Sequence, residues 1–276
     1  MRSREDSVVH QQRAIKFIFT MLLAVAMLSG ALLTSLPALA AEGALTVGAA
    51  SSLGYALKEV AAEFEAAGGA RVRFSLGSSG ALATQIENGA PFDLFLAADK
   101  TYAARLVEAG MIERGSVVQF AKGRLVIVVN RASGHRVEGV ESLGPLMAEG
   151  VRLAIASPAH APYGKAAANV LKKAGVWEGV ALRVVYGENV RQALQFVQSG
   201  NAPLGIVAES LTVGIDARVS IVKVPSEYYA TIEHVAGIVA SSPNRDTAGA
   251  FIRFLMSPEA RTILTRYGFS VPVRHD

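Results

Sequence analysis

Four short turns hold the residues of this chain that could do chemistry: Ser51-Ser52, Ser78-Ser79, Tyr163-Gly164 and Asn189-Val190. Each follows a run that reads as a strand and precedes one that reads as a helix. The longest such stretch is Gly77–Asp99, GSSGALATQIENGAPFDLFLAAD, in which Leu82 and Ile86 stand four apart on one helical face. A strand that passes through small hydroxyl residues into a helix leaves the first N–H groups of that helix without internal partners. Those groups, the positive end of the helix dipole and the hydroxyls together favour an anion. All are donors. The four turns themselves contain no Arg, no Lys and no cluster of metal-binding carboxylates. This composition suits a fully ionised oxyanion held by many charge-assisted hydrogen bonds. An anion that must donate a proton of its own finds no acceptor, so selectivity rests on donor count and cavity size.

The same residues admit other readings. Ser78 or Ser79 alone would serve as a helix N-cap. Gly77-Ser78-Ser79-Gly80-Ala81 resembles the nucleophile elbow of serine hydrolases, but that motif requires glycine two residues after the serine, where Ala81 stands. His160 would have to be its base, and no acid marks itself as the partner. The adjacent Tyr228-Tyr229 could ligate ferric iron, although a position between two strands near a crossover reads as hinge packing. His10, His135, His234 and His275 show no paired metal spacing and read as surface residues, with His160 at the mouth of the site. Asp93 and Asp99 bracket a strand and read as capping or turning residues. Trp177 reads as packing.

The elements that must position these turns alternate along the chain. Strand-like runs are Leu45–Gly48, Arg71–Leu76, Phe92–Ala97, Leu125–Asn130, Val151–Ala156, Leu182–Tyr186, Leu204–Val207, Val219–Val224 and Val235–Ala240. Helical runs include Leu53–Ala67, Ala81–Asn88, Tyr102–Ala109, Lys165–Ala174 and Val190–Ser199, with Thr247–Met256 and Pro258–Tyr267 closing the chain. Strands and helices alternating over short connections imply an α/β fold with mostly parallel sheets flanked by helices. Ligands of such sheets collect at the carboxyl ends of the strands, where all four turns lie. No low-complexity linker divides the chain. The pattern fits two lobes joined by crossing strands, 41–122 plus 226–276 and 123–225, with the ligand in the cleft between them.

The first forty residues read differently. Arg13 and Lys16 precede the apolar run Phe17–Leu36, and Ala38-Leu39-Ala40 follows it. These are the three parts of a cleavable export signal, cut after Ala40, which places the remainder in the periplasm of a double-membrane bacterium. The full chain of 276 residues has a formal charge of +4. Residues 1–40 hold four cations against two acids, so the remainder carries +2, scattered rather than clustered, which argues against nucleic acid. There is no cysteine, which excludes disulfides, thiolate metal sites and a lipid-modified N-terminal cysteine.

Ala49-Ala50-Ser51-Ser52-Leu53, the Gly77–Asp99 stretch, Ala161-Pro162-Tyr163-Gly164, Gly187-Glu188-Asn189-Val190, Ala202-Pro203-Leu204-Gly205-Ile206-Val207 and Arg266-Tyr267-Gly268-Phe269 together resemble the periplasmic molybdate-binding proteins of ABC transporters. The resemblance runs from about Leu45 to the end. It implies a two-lobed, hinge-closing, monomeric receptor that carries molybdate, often tungstate too, to an inner-membrane permease, without a cofactor and without enzymatic activity. Its oxyanion contacts fall on Ser52, with Ser51 adjacent, and Ser79 in the first lobe, and on Tyr163 and the Val190 N–H in the second. These touch the oxygens of the molybdate and are not direct ligands of its metal. Some members place a tyrosine ligand after the Gly-Ile-Val strand, where this chain has Ala208. The resemblance therefore implies that Tyr163 supplies that hydroxyl. A receptor for another oxyanion such as sulfate, a ferric-iron receptor and a serine hydrolase stand as alternatives.

Overall fold

The central strands of this chain are short apolar runs buried on both faces. In the computed structural model, which describes residues 44–215 and 217–272, the strands are β1 (Leu45–Ala50), β2 (Val72–Gly77), β3 (Leu94–Ala97), β4 (Val118–Gly123), β5 (Leu125–Asn130), β6 (Leu153–Ala156), β7 (Val184–Gly187), β8 (Leu204–Ala208), β9 (Val219–Lys223) and β10 (Ile232–Ile238). The expected export signal at 1–40, with His10 and His275, lies outside the described residues. Among the described residues no helix is long and apolar enough to cross a membrane.

The strands make two five-stranded sheets of the same plan, β2-β1-β3-β10-β4 and β7-β6-β8-β5-β9, and the edge strands β2, β4, β7 and β9 are partly exposed. In each, three neighbouring strands run parallel and the fourth is reversed. The outer fifth pairs antiparallel with the reversed strand and so runs with the first three. The reversed strands, β10 and β5, are those the chain enters on crossing between sheets. It crosses at Arg124, the single residue between β4 and β5, and returns over residues 224–231. At this crossing the Leu125 N–H donates to the Tyr229 hydroxyl at 3.1 Å, and the Tyr228 hydroxyl donates to Glu141 Oε1 at 2.5 Å. Both tyrosines thus pack at the crossover, as their position between strands suggests.

Helices cover both faces. Leu94 and Leu96 of β3 point toward α1 (Gly54–Ala66), α8 (Arg245–Leu255) and α9 (Pro258–Arg266), where Phe64 meets Phe251 edge-on with ring centroids 5.2 Å apart. Phe95 and Ala97, one residue out of phase, point the other way into a second core with Leu82 and Ile86 of α2 (Ser79–Glu87) and Leu106 of α3 (Lys100–Glu108). Burial of both faces explains why β3 is apolar throughout rather than alternating. In the second half, α4 (Leu143–Ala148), α5 (Pro162–Lys173), α6 (Trp177–Val180) and α7 (Val190–Gln198) surround the other sheet. The buried face of α7 is Val190, Ala193, Leu194 and Val197, the spacing of one helical stripe. Trp177 packs against this core, with the Lys172 ammonium over its ring.

Several elements differ from the sequence reading at their ends, β10 starting at Ile232 rather than Val235 and α5 at Pro162 rather than Lys165, and three differences have a local cause. Helix α3 starts at Lys100, two residues before the expected Tyr102, because the Asp99 carboxylate caps it through the Thr101 N–H at 2.9 Å. Strand β3 starts at Leu94 because Asp93 uses its side chain as well as its backbone. Its carboxylate accepts from the Thr46 N–H at 2.8 Å and from the Ser242 hydroxyl at 2.7 Å. The third is β4, whose run VQFAKG mixes Gln119 and Lys122 with apolar residues, as befits an edge strand, and gives no strong pattern.

Candidate oxyanion site

Each of the four turns leaves the carboxyl end of a parallel strand. After β1 the chain makes one 3₁₀ turn, Ser51–Leu53, and runs straight into α1. After β2, Ser78 caps α2 by accepting the Ala81 N–H at 3.4 Å, which leaves Ser79 as the first helical residue. After β6, Pro162 occupies the first position of α5, where its missing N–H costs nothing, and Tyr163 follows. The turn is tight. A Cβ on Gly164 would stand 2.2 Å from the Ala156 carbonyl oxygen, so only glycine fits. After β7, the Asn189 side chain accepts the Arg191 and Gln192 N–H groups at 3.1 Å each, so the leading amide of α7, that of Val190, remains for an incoming acceptor.

These turns meet. Ser51, Ser52, Ser79, Tyr163 and Val190 line one small cavity with Ala50, Gly77, Ser78, Ala98, Ala161 and Pro162, and no charged side chain is among them. The cavity measures about 10 Å³, room for one compact group. Ser52 and Ser79 have partners within the protein. Ser79 Oγ accepts the Ala98 N–H at 2.9 Å, leaving its own proton for the cavity. Ser52 Oγ lies 3.2 Å from His234 Nε2, and the Ser52 carbonyl accepts the Ser210 hydroxyl at 2.7 Å from across the cleft. Tyr163 is 2% exposed and its hydroxyl has no hydrogen-bond partner among the described residues. Burial holds its proton well above the usual tyrosine range; the nearby Ser52 hydroxyl acts the other way without reaching hydrogen-bond geometry. An unpartnered hydroxyl at this depth is costly unless something else accepts from it.

A larger groove of about 460 Å³ lies alongside, lined by Asp99, Lys100, Lys165 and Glu233 among others. Its charges face solvent and Lys100 is paired with Glu233 at 2.8 Å. Paired rim charges make it the outer mouth of the cleft rather than a second anion site.

Two histidines belong to the site, and one corrects the sequence reading. His160 lies beside the Ser78 turn, with Nδ1 2.8 Å from Ser78 Oγ and its carbonyl accepting the Gly80 N–H at 2.9 Å. His234 is not a surface residue. It is 0% exposed, between Tyr163 and Phe269 and against Ser52. The signal for this was the alternation Ile232, His234, Ala236 on one face of β10, since those two neighbours belong to the core. Among the described residues no carboxylate hydrogen-bonds to either histidine, so neither serine–histidine pair is a triad. Tyr228 and Tyr229 do not line the cavity.

Residues 45–270 match the family described as bacterial extracellular solute-binding protein. The chain is 36% identical over 239 residues to the molybdate-binding protein ModA of Rhodobacter capsulatus, covering 87% of this chain and 93% of that one. It is 35% identical over 236 residues to ModA of Escherichia coli strain K12, covering 85% and 91%. The solved periplasmic molybdate-binding protein of Azotobacter vinelandii superposes with a TM-score of 0.73 at 29% identity, over 83% of this chain and all (100%) of that one. The chain therefore belongs to the bacterial extracellular solute-binding protein family, among relatives that are molybdate-binding proteins.

Proposed function

We propose that this protein is a periplasmic receptor for molybdate and tungstate that delivers the oxyanion to the permease of an ABC transporter. The observation that carries the reading is a buried, uncharged donor set drawn from both sheets, with the Tyr163 hydroxyl unpartnered among the described residues. Ser52, Ser79, the Val190 N–H and Tyr163 donate to the oxygens of a tetrahedral dianion, and Ser51 shapes the same turn. Tyr163 supplies the hydroxyl for which Ala208 has no counterpart. Phosphate carries a proton at neutral pH and meets no acceptor here. Each sheet with its helices acts as a lobe, 41–122 with 226–276 and 123–225, and the lobes close on the ligand about the crossings. Residues 1–40 direct export, and the receptor works as a monomer without a cofactor. Lacking a carboxylate behind either histidine, the site binds rather than catalyses.

Calorimetric titration of the exported protein with molybdate, tungstate, sulfate and phosphate tests the reading. One-to-one binding of the first two, with the others silent, is expected. The narrowness of the cavity favours sulfate as the second reading, and sulfate binding tightest would select it.

A further inference from the structure

Among the described residues, two buried side-chain polar atoms lack a hydrogen-bond partner, the Tyr163 hydroxyl and His234 Nδ1, and the donor set accounts only for the first. The His234 ring is enclosed by Phe120, Tyr163 and Phe269, with centroids 6.1, 6.0 and 5.1 Å away. Burial in this aromatic cage keeps the imidazole neutral, its pKa pulled down to about 3, with the Ile232 backbone only partly opposing. Nε2 stands 3.2 Å from Ser52 Oγ, and Nδ1 has no hydrogen-bond partner among the described residues.

A neutral imidazole has one N–H, and its two placements have different consequences. With the proton on Nδ1, a buried N–H is left without a partner in hydrogen-bond geometry, the Ile232 backbone beside the ring falling short of it, and Ser52 must give its only proton to Nε2. With the proton on Nε2, the ring donates to Ser52 Oγ, Nδ1 is a bare acceptor, and Ser52 keeps its proton. Orphaned N–H groups are the rarer and costlier outcome in folded proteins. Ser79 follows the same scheme, its oxygen accepting from the Ala98 N–H.

We propose that His234 is a positioning residue for oxyanion recognition: its Nε2–H, donated to Ser52 Oγ, turns the Ser52 proton into the cavity and holds that hydroxyl as a donor. The inference rests on the oxyanion reading of the cavity and gives one of its donors a fixed direction. A serine so held matches an unprotonated oxygen and resists one that carries a proton. His234 therefore contributes to the preference for a fully ionised anion without touching it.

The tautomer is readable in the ligand-free exported protein by ¹⁵N NMR of the imidazole, with the His234 signals identified by their loss in His234→Gln. Nε2 is expected at a protonated shift and Nδ1 at a bare one; a proton on Nδ1 overturns the proposal. Calorimetry with sodium molybdate supplies the second arm. His234→Phe keeps the packing and removes the donor, and should weaken binding by about ten- to a hundredfold. His234→Gln, whose amide N–H extends as far as Nε2, should recover most of the loss. Equal affinity in the wild type and His234→Phe overturns the proposal, as does a Gln variant no better than Phe. Should His234→Phe fail to fold, the tautomer and the Gln variant carry the test. A wild type that binds no oxyanion sinks the receptor reading instead, and the tautomer then still decides whether Ser52 is held as a donor.

Discussion

Ser78 Oγ lies 2.8 Å from His160 Nδ1, joining the turn that opens α2 to the turn that opens α5. The Gly80 N–H donates to the His160 carbonyl at 2.9 Å beside it. A Cβ on Gly80 would stand 2.7 Å from that carbonyl oxygen, so the close approach depends on glycine. Together with the bond from Ser210 to the Ser52 carbonyl, these contacts tie the two sheets over the cavity. Opening the cleft would break all three.

His160→Ala should therefore loosen the closed form. It removes one of the three bonds and leaves the backbone bond to Gly80. The expected loss of molybdate affinity is about three- to tenfold, the worth of one partly buried hydrogen bond. Because the contact acts after encounter, the change should sit in the dissociation rate. Stopped-flow release of the anion measures it, and an unchanged rate would remove His160 from the closing contacts.

Tyr163→Phe should separate binding from stability. In the ligand-free protein the hydroxyl is buried without a partner, so deleting it should stabilise the fold by about 1 kcal/mol. With the oxyanion present the same hydroxyl is a donor, and affinity should drop by about tenfold or more. A higher melting temperature with a weaker Kd is the expected pair of results. A variant less stable than the wild type would mean that the hydroxyl has a partner inside the protein.

Much of this was legible in the sequence because strand ends and helix starts carry local signals. Ser78, Asp99 and Asn189 are side-chain N-caps, and caps precede apolar stripes in a readable way. Four turns of one design then pointed to one edge of the sheets. His234 was not legible as a site residue. Its neighbour Ser52 is 182 positions away in sequence, and a lone histidine has no spacing to betray it. Only its phase with Ile232 and Ala236 marked it as inward. The reversed strands were equally silent, since direction is a property of pairing and not of the apolar run.

Two glycines should respond in opposite ways to alanine. At Gly164 the added Cβ meets backbone, the Ala156 carbonyl oxygen at 2.2 Å, which cannot move without shifting the end of β6. Gly164→Ala should destabilise the fold by about 2–3 kcal/mol, seen in urea unfolding. At Gly123 the added Cβ would meet the ends of two side chains, the Tyr163 hydroxyl and, at 2.8 Å, Cε1 of His234. Gly123→Ala should keep most of the stability and lose oxyanion binding, because Tyr163 must swing out of its place. Retained binding in Gly123→Ala would show that the Tyr163 hydroxyl is not needed.

The neutral His234 makes a pH signature. Its folded pKa is about 3, below the ordinary value of about 6.5 that the unfolded chain recovers. Between those limits the unfolded chain binds a proton that the folded protein refuses, so stability falls as the pH drops. Above about pH 7 neither state is charged and the group contributes nothing. At pH 5 the penalty amounts to about 2 kcal/mol, from about 1.4 kcal/mol per pH unit below the unfolded pKa. His234→Gln lacks it. The difference in unfolding free energy between wild type and His234→Gln, measured in urea, should shift by about 2 kcal/mol in favour of the variant between pH 7.5 and pH 5. A difference that stays constant would mean that the imidazole takes up its proton within the fold.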